Sequence, residues 1–202
     1  MRGPERLTHL DASFLYLERP AMPMHVGGVS VLDPSTRPDG RLPFEEVRGT
    51  LAARIHLAPR LRQRVLEVPL GLARPVWVDD ERFDLDYHLR RAALPAPGGR
   101  AELADAVGRA LSEPLDRTRP LWELHVFEGL EGGLAAVLLK VHHAMADGIS
   151  VMRVAQAMFD LDAGLRRPPE PEPWRPARAP SPAELLRDAV LEAVADPTEA
   201  LR

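Results

Sequence analysis

Cysteine is absent from the 202 residues, so no disulfide, thiol nucleophile or thiolate metal site can be built from them. Lysine is almost absent: Lys140 stands alone in an arginine-rich chain, a bias that reads as base composition. There is no excess of positive charge either. The formal net charge is −4, with 26 basic against 30 acidic residues, which excludes nucleic acid as an expected partner. No Gly-x-Ser-x-Gly string occurs, so the nucleophile elbow of the serine hydrolases is missing. No segment is apolar over the length of a membrane span, and "MRGPERLTHLDASFLYLERP" is too charged for a signal peptide. These absences point to a soluble, cytoplasmic protein.

What is present is a chain long enough for one compact domain, or one with an appendage. Its patterns alternate between period two and helical spacing. "HVGGVSVLD" (25–33) predicts a strand whose Gly-Gly step marks a bulge or a close backbone approach. Phe44, Val47, Leu51 and Ile55 share one face of a helix, with Pro43 suited to its first turn. "LRQRVLEVPL" and "RPVWVDDE" read as strands. Leu103, Val107, Ala110 and Leu111 mark a second helix, which "EPLDRTRP" breaks. Strands over 121–130 and 134–143 follow, joined at Glu131-Gly132-Gly133 as a hairpin, the second apolar on both faces up to Lys140. A further helix is expected from about Gly148.

After Leu161 the composition turns to proline, arginine and glutamate, and cannot supply a core. Ser181-Pro182-Ala183-Glu184 then has the form of a capping box, and Leu186, Ala189, Val190 and Ala193 mark a short helix. The expected organisation is a domain over 1–161, a Pro-rich linker over 162–181, and a helix over 182–202 that leads toward an absent second half.

The chemistry concentrates in "VHHAMADGIS" (141–150), where an apolar strand ends. His142, His143, Asp147 and Gly148 would recur by chance in about one chain in a thousand of this length, at average residue usage. Three readings compete. One is a satisfied core histidine beside a turn, with Asp147 capping the next helix. A metal site is the second, though adjacent strand residues point to opposite faces and rarely share an ion. In the third, one histidine faces a cavity as a general base, positioned by Asp147.

The string resembles the His-His-x-x-x-Asp-Gly motif of coenzyme A-dependent acyltransferases. "PLDRTRPLWELHVFEGL" (114–130), "LTHLDASFLYLE" and "MPMHVGGVSVLD" are similar to segments of the bacterial wax ester synthase/diacylglycerol acyltransferase family. The resemblance implies one half of a chloramphenicol acetyltransferase-like fold, an α/β mixed-sheet sandwich, in proteins of about twice this length. It implies that His143 is the general base, that His142 is structural, and that Asp147 organises the loop. Gly148 would permit close approach to substrate, and Pro120, Leu121 and Trp122 would shape the substrate tunnel or the core. Acyl-CoA would be a co-substrate, with no metal or other cofactor, and the acceptor a lipid alcohol, diacylglycerol or a fatty alcohol. An imidazole ordinarily titrates near 6.5, suited to taking an alcohol proton at neutral pH.

By the same resemblance the partner would be a carboxy-terminal half or a second copy, and lipid would be met at a membrane surface or lipid inclusion. A non-catalytic lipid- or partner-binding homologue is the alternative. Elsewhere, Arg60, Arg62 and Arg64 alternate as along one solvated strand face, rather than as a phosphate site. His25 and His125 read as partly buried strand residues, Trp77 and Trp122 as core. Trp174, in the linker, reads as an anchor onto a missing partner.

Overall fold

The computed structural model describes residues 4–145 and 173–195. In chain order its regular elements are β1 (Glu5–Arg6), α1 (His9–Leu17), β2 (His25–Leu32), α2 (Phe44–Arg54), β3 (Gln63–Leu66), β4 (Val76–Asp79), α3 (Leu85–His88), β5 (Leu89–Ala93), α4 (Arg100–Ser112), β6 (Trp122–Glu128), β7 (Ala135–His142) and α5 (Pro182–Ala195). The helix expected from Gly148 lies outside the described residues. The expected α/β mixed-sheet sandwich is what the structure shows.

Its centre is a four-stranded sheet in the order β2-β7-β6-β5, with β5 and β6 parallel and the other pairs antiparallel. Parallel neighbours need a long return path, and α4 supplies it between β5 and β6. α4 opens where Glu102 accepts the Gly99 N–H at 2.8 Å, and it packs Ala106 and Ala110 against Phe127, Ala136 and Leu138. On the opposite face Val137 and Val141 join Trp122, Leu124 and Val126 in the main core, together with Ala12 and Leu15 of α1 and Leu51 of α2. Burying one such side chain contributes about 1.5–3 kcal/mol.

The Gly-Gly step resolves as a close approach rather than a bulge, because β2 pairs with β7 without interruption from His25↔His142 to Leu32↔Ala135. A Cβ on Gly27 would lie 2.7 Å from Leu111 of α4 and 2.9 Å from Leu138. Even a methyl group there would force the Leu111 and Leu138 side chains to move.

A second sheet, β1-β4-β3, is antiparallel throughout. Val65 and Trp77 face the main core, and Val76 and Val78 face α5. Two expectations are corrected here. The strand read over 61–70 is only β3, because Pro59 and Pro69 each start a tight 3-10 turn. Arg60, Arg62 and Arg64 therefore do not share a strand face: Arg60 lies over Trp77 at 4.5 Å, Arg62 over Trp174 at 4.7 Å, and Arg64 lies 4.0 Å from Asp80.

The segment from 173 runs back along this second sheet. The Ala177 N–H donates to Asp79 at 2.9 Å and the Ala179 N–H to Glu81 at 3.1 Å. Trp174 packs edge-on to Phe83, so its anchor is within this chain and not on a missing partner. Ser181 and Glu184 form the reciprocal cap: the Ser181 N–H donates to the carboxylate at 2.7 Å and the Glu184 N–H to the hydroxyl at 3.3 Å. The docked face of α5 is Leu185 and Ala189, whereas Val190 is 54% exposed. Leu185 and Ala189 pack on Val68, Val76 and Val78, one step away from the face the spacing suggested, and Arg6 pairs with Glu192 at 2.7 Å beside them.

Candidate active site

β7 delivers its last residue, His142, into the sheet, and the next three, His143 to Met145, form a single 3-10 turn. Even-numbered residues of β7 point toward α4 and odd ones toward the main core, so His142 follows Leu138 and Lys140 on the α4 side. The two rings consequently diverge. His142 is fully buried and His143 is half-buried.

Three contacts tie the pair to the start of the chain, and two further hydrogen bonds brace them. The Ala144 N–H donates to His142 Nδ1 at 3.0 Å, and His142 Nε2 lies 3.4 Å from Glu18 Oε1. The Met24 N–H donates to the same carboxylate oxygen at 3.1 Å, and the Met24 carbonyl accepts the His143 N–H at 2.8 Å. Phe14 of α1 stacks on the His143 ring at 4.7 Å, with the planes 20° apart. Burial, only partly offset by the Glu18 charge, pushes the His142 pKa down to about 4, with Arg117 and the neighbouring histidines adding to the depression. His142 is thus neutral at physiological pH and held in place, a support for its neighbour.

Pro120, Leu121 and Trp122 are all buried next to the pair. The Leu121 carbonyl accepts the His142 N–H at 3.0 Å. Trp122 donates Nε1–H to the Leu61 carbonyl at 2.8 Å and stacks on His88 at 4.5 Å, which ties the central sheet to the turn before β3 and to α3. Asp147 and Gly148, the other two members of the string, lie outside the described residues.

On the α4 side of β7 a polar seam leads up to His142. Lys140 is wholly buried and donates to the Ala110 carbonyl at 2.8 Å and the Glu113 carbonyl at 2.5 Å, beside Glu123 at 3.5 Å. His25 Nε2 meets the Leu111 carbonyl at 2.6 Å. Carbonyls 110, 111 and 113 belong to the end of α4, which has no partners of its own for them, so two sheet residues cap that helix. Burial opposes the charge of Glu123, but the His125 ring and the Lys140 ammonium outweigh it and hold its pKa below the usual range. Sequence reasoning saw His25 and His125 singly as partly buried strand residues, and Lys140 as the end of an apolar run. It missed Glu18 and Phe14, which sit one helical turn apart in "FLYLE" and gave no signal of a partner far along the chain.

No group of three or more metal-ligating side chains occurs among the described residues, and no described helix is long and apolar enough to cross a membrane. A cleft of about 600 Å³, lined by Arg41, Arg91, Glu128 and Leu134 among others, lies toward the opposite end of β7.

A mixed sheet sandwiched by helices, with two histidines leaving its central strand, is the architecture of the chloramphenicol acetyltransferase-like class. Solved structures carry the same fold. The first condensation domain of the CDA synthetase aligns with a TM-score of 0.56 at 19% identity, over 78% of this chain and 40% of that one. Wax ester synthase/diacylglycerol acyltransferase from Marinobacter aquaeolei VT8 aligns with a TM-score of 0.64 at 38% identity, over 81% of this chain and 41% of that one. The chain belongs to the wax ester synthase/diacylglycerol acyltransferase catalytic domain family, whose model matches residues 7–202. Probable diacylglycerol O-acyltransferase tgs3 of Mycobacterium tuberculosis is 44% identical over 187 residues, which are 92% of this chain and 67% of that protein. A putative diacylglycerol O-acyltransferase of the same species is 44% identical over 181 residues, 90% of this chain and 38% of its own length. The chain therefore spans about two thirds of one of these relatives and about two fifths of the others.

Proposed function

We propose that this chain is the histidine-bearing part of an O-acyltransferase that moves a long-chain acyl group from acyl-CoA to a lipid alcohol, either diacylglycerol or a fatty alcohol. The observation that carries the reading is the division of labour within the pair: a locked, neutral His142 and a half-buried His143 held by its own backbone N–H and by Phe14. His143 takes the hydroxyl proton as general base while the alcohol oxygen attacks the thioester carbon. The tetrahedral intermediate collapses with loss of the CoA thiolate, and the proton on His143 passes to that sulfur. No covalent acyl-enzyme is needed, in keeping with the lack of cysteine and of a nucleophile elbow. Asp147 would organise the loop and Gly148 would admit substrate. Pro120, Leu121 and Trp122 would hold the floor from which the histidines project.

A carboxy-terminal half, or a second copy, would complete the tunnel. The test is release of free CoA from a long-chain acyl-CoA with a fatty alcohol or diacylglycerol acceptor. The expected result is acceptor-dependent release that falls by about 10²- to 10⁴-fold in His143→Ala. A rate unchanged by that substitution would overturn the assignment of the base. A second reading is a lipid- or partner-binding module without turnover. That reading predicts acyl-CoA binding that is indifferent to His143→Ala.

A further inference from the structure

His143 is the proposed base, and among the described residues its ring is met by Phe14 alone, whereas its turn is braced by hydrogen bonds of the backbone. The turn is held through His142, and His142 is held from α1. A backbone N–H can only donate, so the bond from Ala144 requires an unprotonated Nδ1 on His142. The neutral ring must then carry its hydrogen on Nε2, a buried nitrogen that forms no hydrogen bond among the described residues and lies 3.4 Å from the Glu18 carboxylate, the charged acceptor beside it. Were the ring to adopt the other tautomer, two hydrogens would meet at Ala144 and the turn would lose its support. Glu18 is itself placed: its side chain is 9% exposed, and the Met24 N–H donates to the same oxygen at 3.1 Å.

We infer that Glu18, which closes α1, is a positioning residue for His143: it selects the His142 tautomer that accepts the Ala144 N–H and so fixes the turn from which His143 projects. This rests on the reading of His143 as the base. These contacts form a closed circuit. Glu18 holds Met24, the Met24 carbonyl holds the His143 N–H at 2.8 Å, and Glu18 faces His142, whose other nitrogen holds Ala144. One helical turn before Glu18, Phe14 covers the His143 ring, so a single face of α1 addresses both histidines. An acceptor that is buried, charged and already fixed by a backbone N–H gives His142 one orientation instead of two. Misplacing a reacting group by about 1 Å can cost about a hundredfold in rate, so a residue that never touches substrate can still set kcat.

The experiment compares the full chain with Glu18→Gln, which keeps an acceptor oxygen, and Glu18→Leu, which removes it while filling the space. Imidazole ¹⁵N resonances report the His142 tautomer directly and need no turnover. The expected result is one fixed tautomer in the parent and in Glu18→Gln. In Glu18→Leu the two ¹⁵N shifts should converge as tautomers mix, and the Ala144 amide should exchange faster. Where turnover is measurable, kcat should fall about ten- to a hundredfold in Glu18→Leu with KM nearly constant, and Gln should restore most of it. Glu18→Ala is read in the same way should Glu18→Leu not fold. An unchanged His142 tautomer and unchanged Ala144 exchange in a folded variant lacking the acceptor would overturn the inference. Silence of the parent in the CoA assay would instead count against the acyltransferase reading and leave the ¹⁵N result to decide the role of Glu18.

Discussion

On one face of β7, Val137 and Val141 meet Trp122, Leu124 and α1 in an apolar core; on the other, Ala136 and Leu138 give way to Lys140 and His142, whose polar contacts reach the end of α4 and Glu18. Both faces are buried. The apolar one is held by area and shape, which many side chains satisfy, and the polar one by direction, which few do. The difference teaches where precision is needed: the directional contacts crowd into the half of β7 that ends at His143.

Three measurements sharpen or break that contrast. The largest effect is expected from Lys140→Met, which strands the Ala110 and Glu113 carbonyls and removes the cation beside Glu123. A loss of about 3–5 kcal/mol in urea unfolding is the expectation, and a loss under about 1 kcal/mol would show the seam to be no more directional than the core. Leu124→Ala on the apolar face, where the side chain is 1% exposed, should cost about 2–5 kcal/mol yet leave the His142 tautomer unchanged. A disturbed tautomer would mean that the two faces are not separable.

The smallest effect is in pH. His142 has a folded pKa of about 4, below the ordinary histidine value of 6.5, so its neutral form stabilises the fold fully above pH 6.5. That contribution is lost as pH falls from 6.5 toward 4, with a slope of at most about 1.4 kcal/mol per pH unit. His25 and His88, also depressed chiefly by burial, act in the same direction. The slope should be shallower in His142→Gln, measured by urea midpoints across this range. An identical slope would show that His142 is not the group that resists protonation.

Much of this was legible beforehand. α2, α4 and β6 were anticipated because their core-facing residues recur at a regular period, β7 because its apolar run is buried on both faces, and β2 from its β-branched alternation although its valines are exposed. α1 was not: Leu10 and Leu17 are exposed while Ala12 and Leu15 are buried, so its apolar residues trace no clean stripe. β5, "LRRAA", is a short and charged edge strand that exists because β6 offers it a parallel partner. The arginine alternation over 60–64 misled, since Pro59 turns the backbone before the strand begins. At the site, the histidine pair was visible as a motif and the divergence of its rings followed from strand geometry. The support from Glu18 was invisible, because a carboxylate at a helix end has a dozen ordinary uses and its partner lies far along the chain.

The burial of Lys140 has a practical consequence. It is the one lysine in the 202 residues, so an endoprotease specific for lysine has a single target bond here, in the central strand of the main sheet. That bond can be cut only after β7 has left its neighbours. The rate of such cleavage under native conditions therefore reports the free energy of opening the strand that carries the histidines, with the intact fold supplying no background.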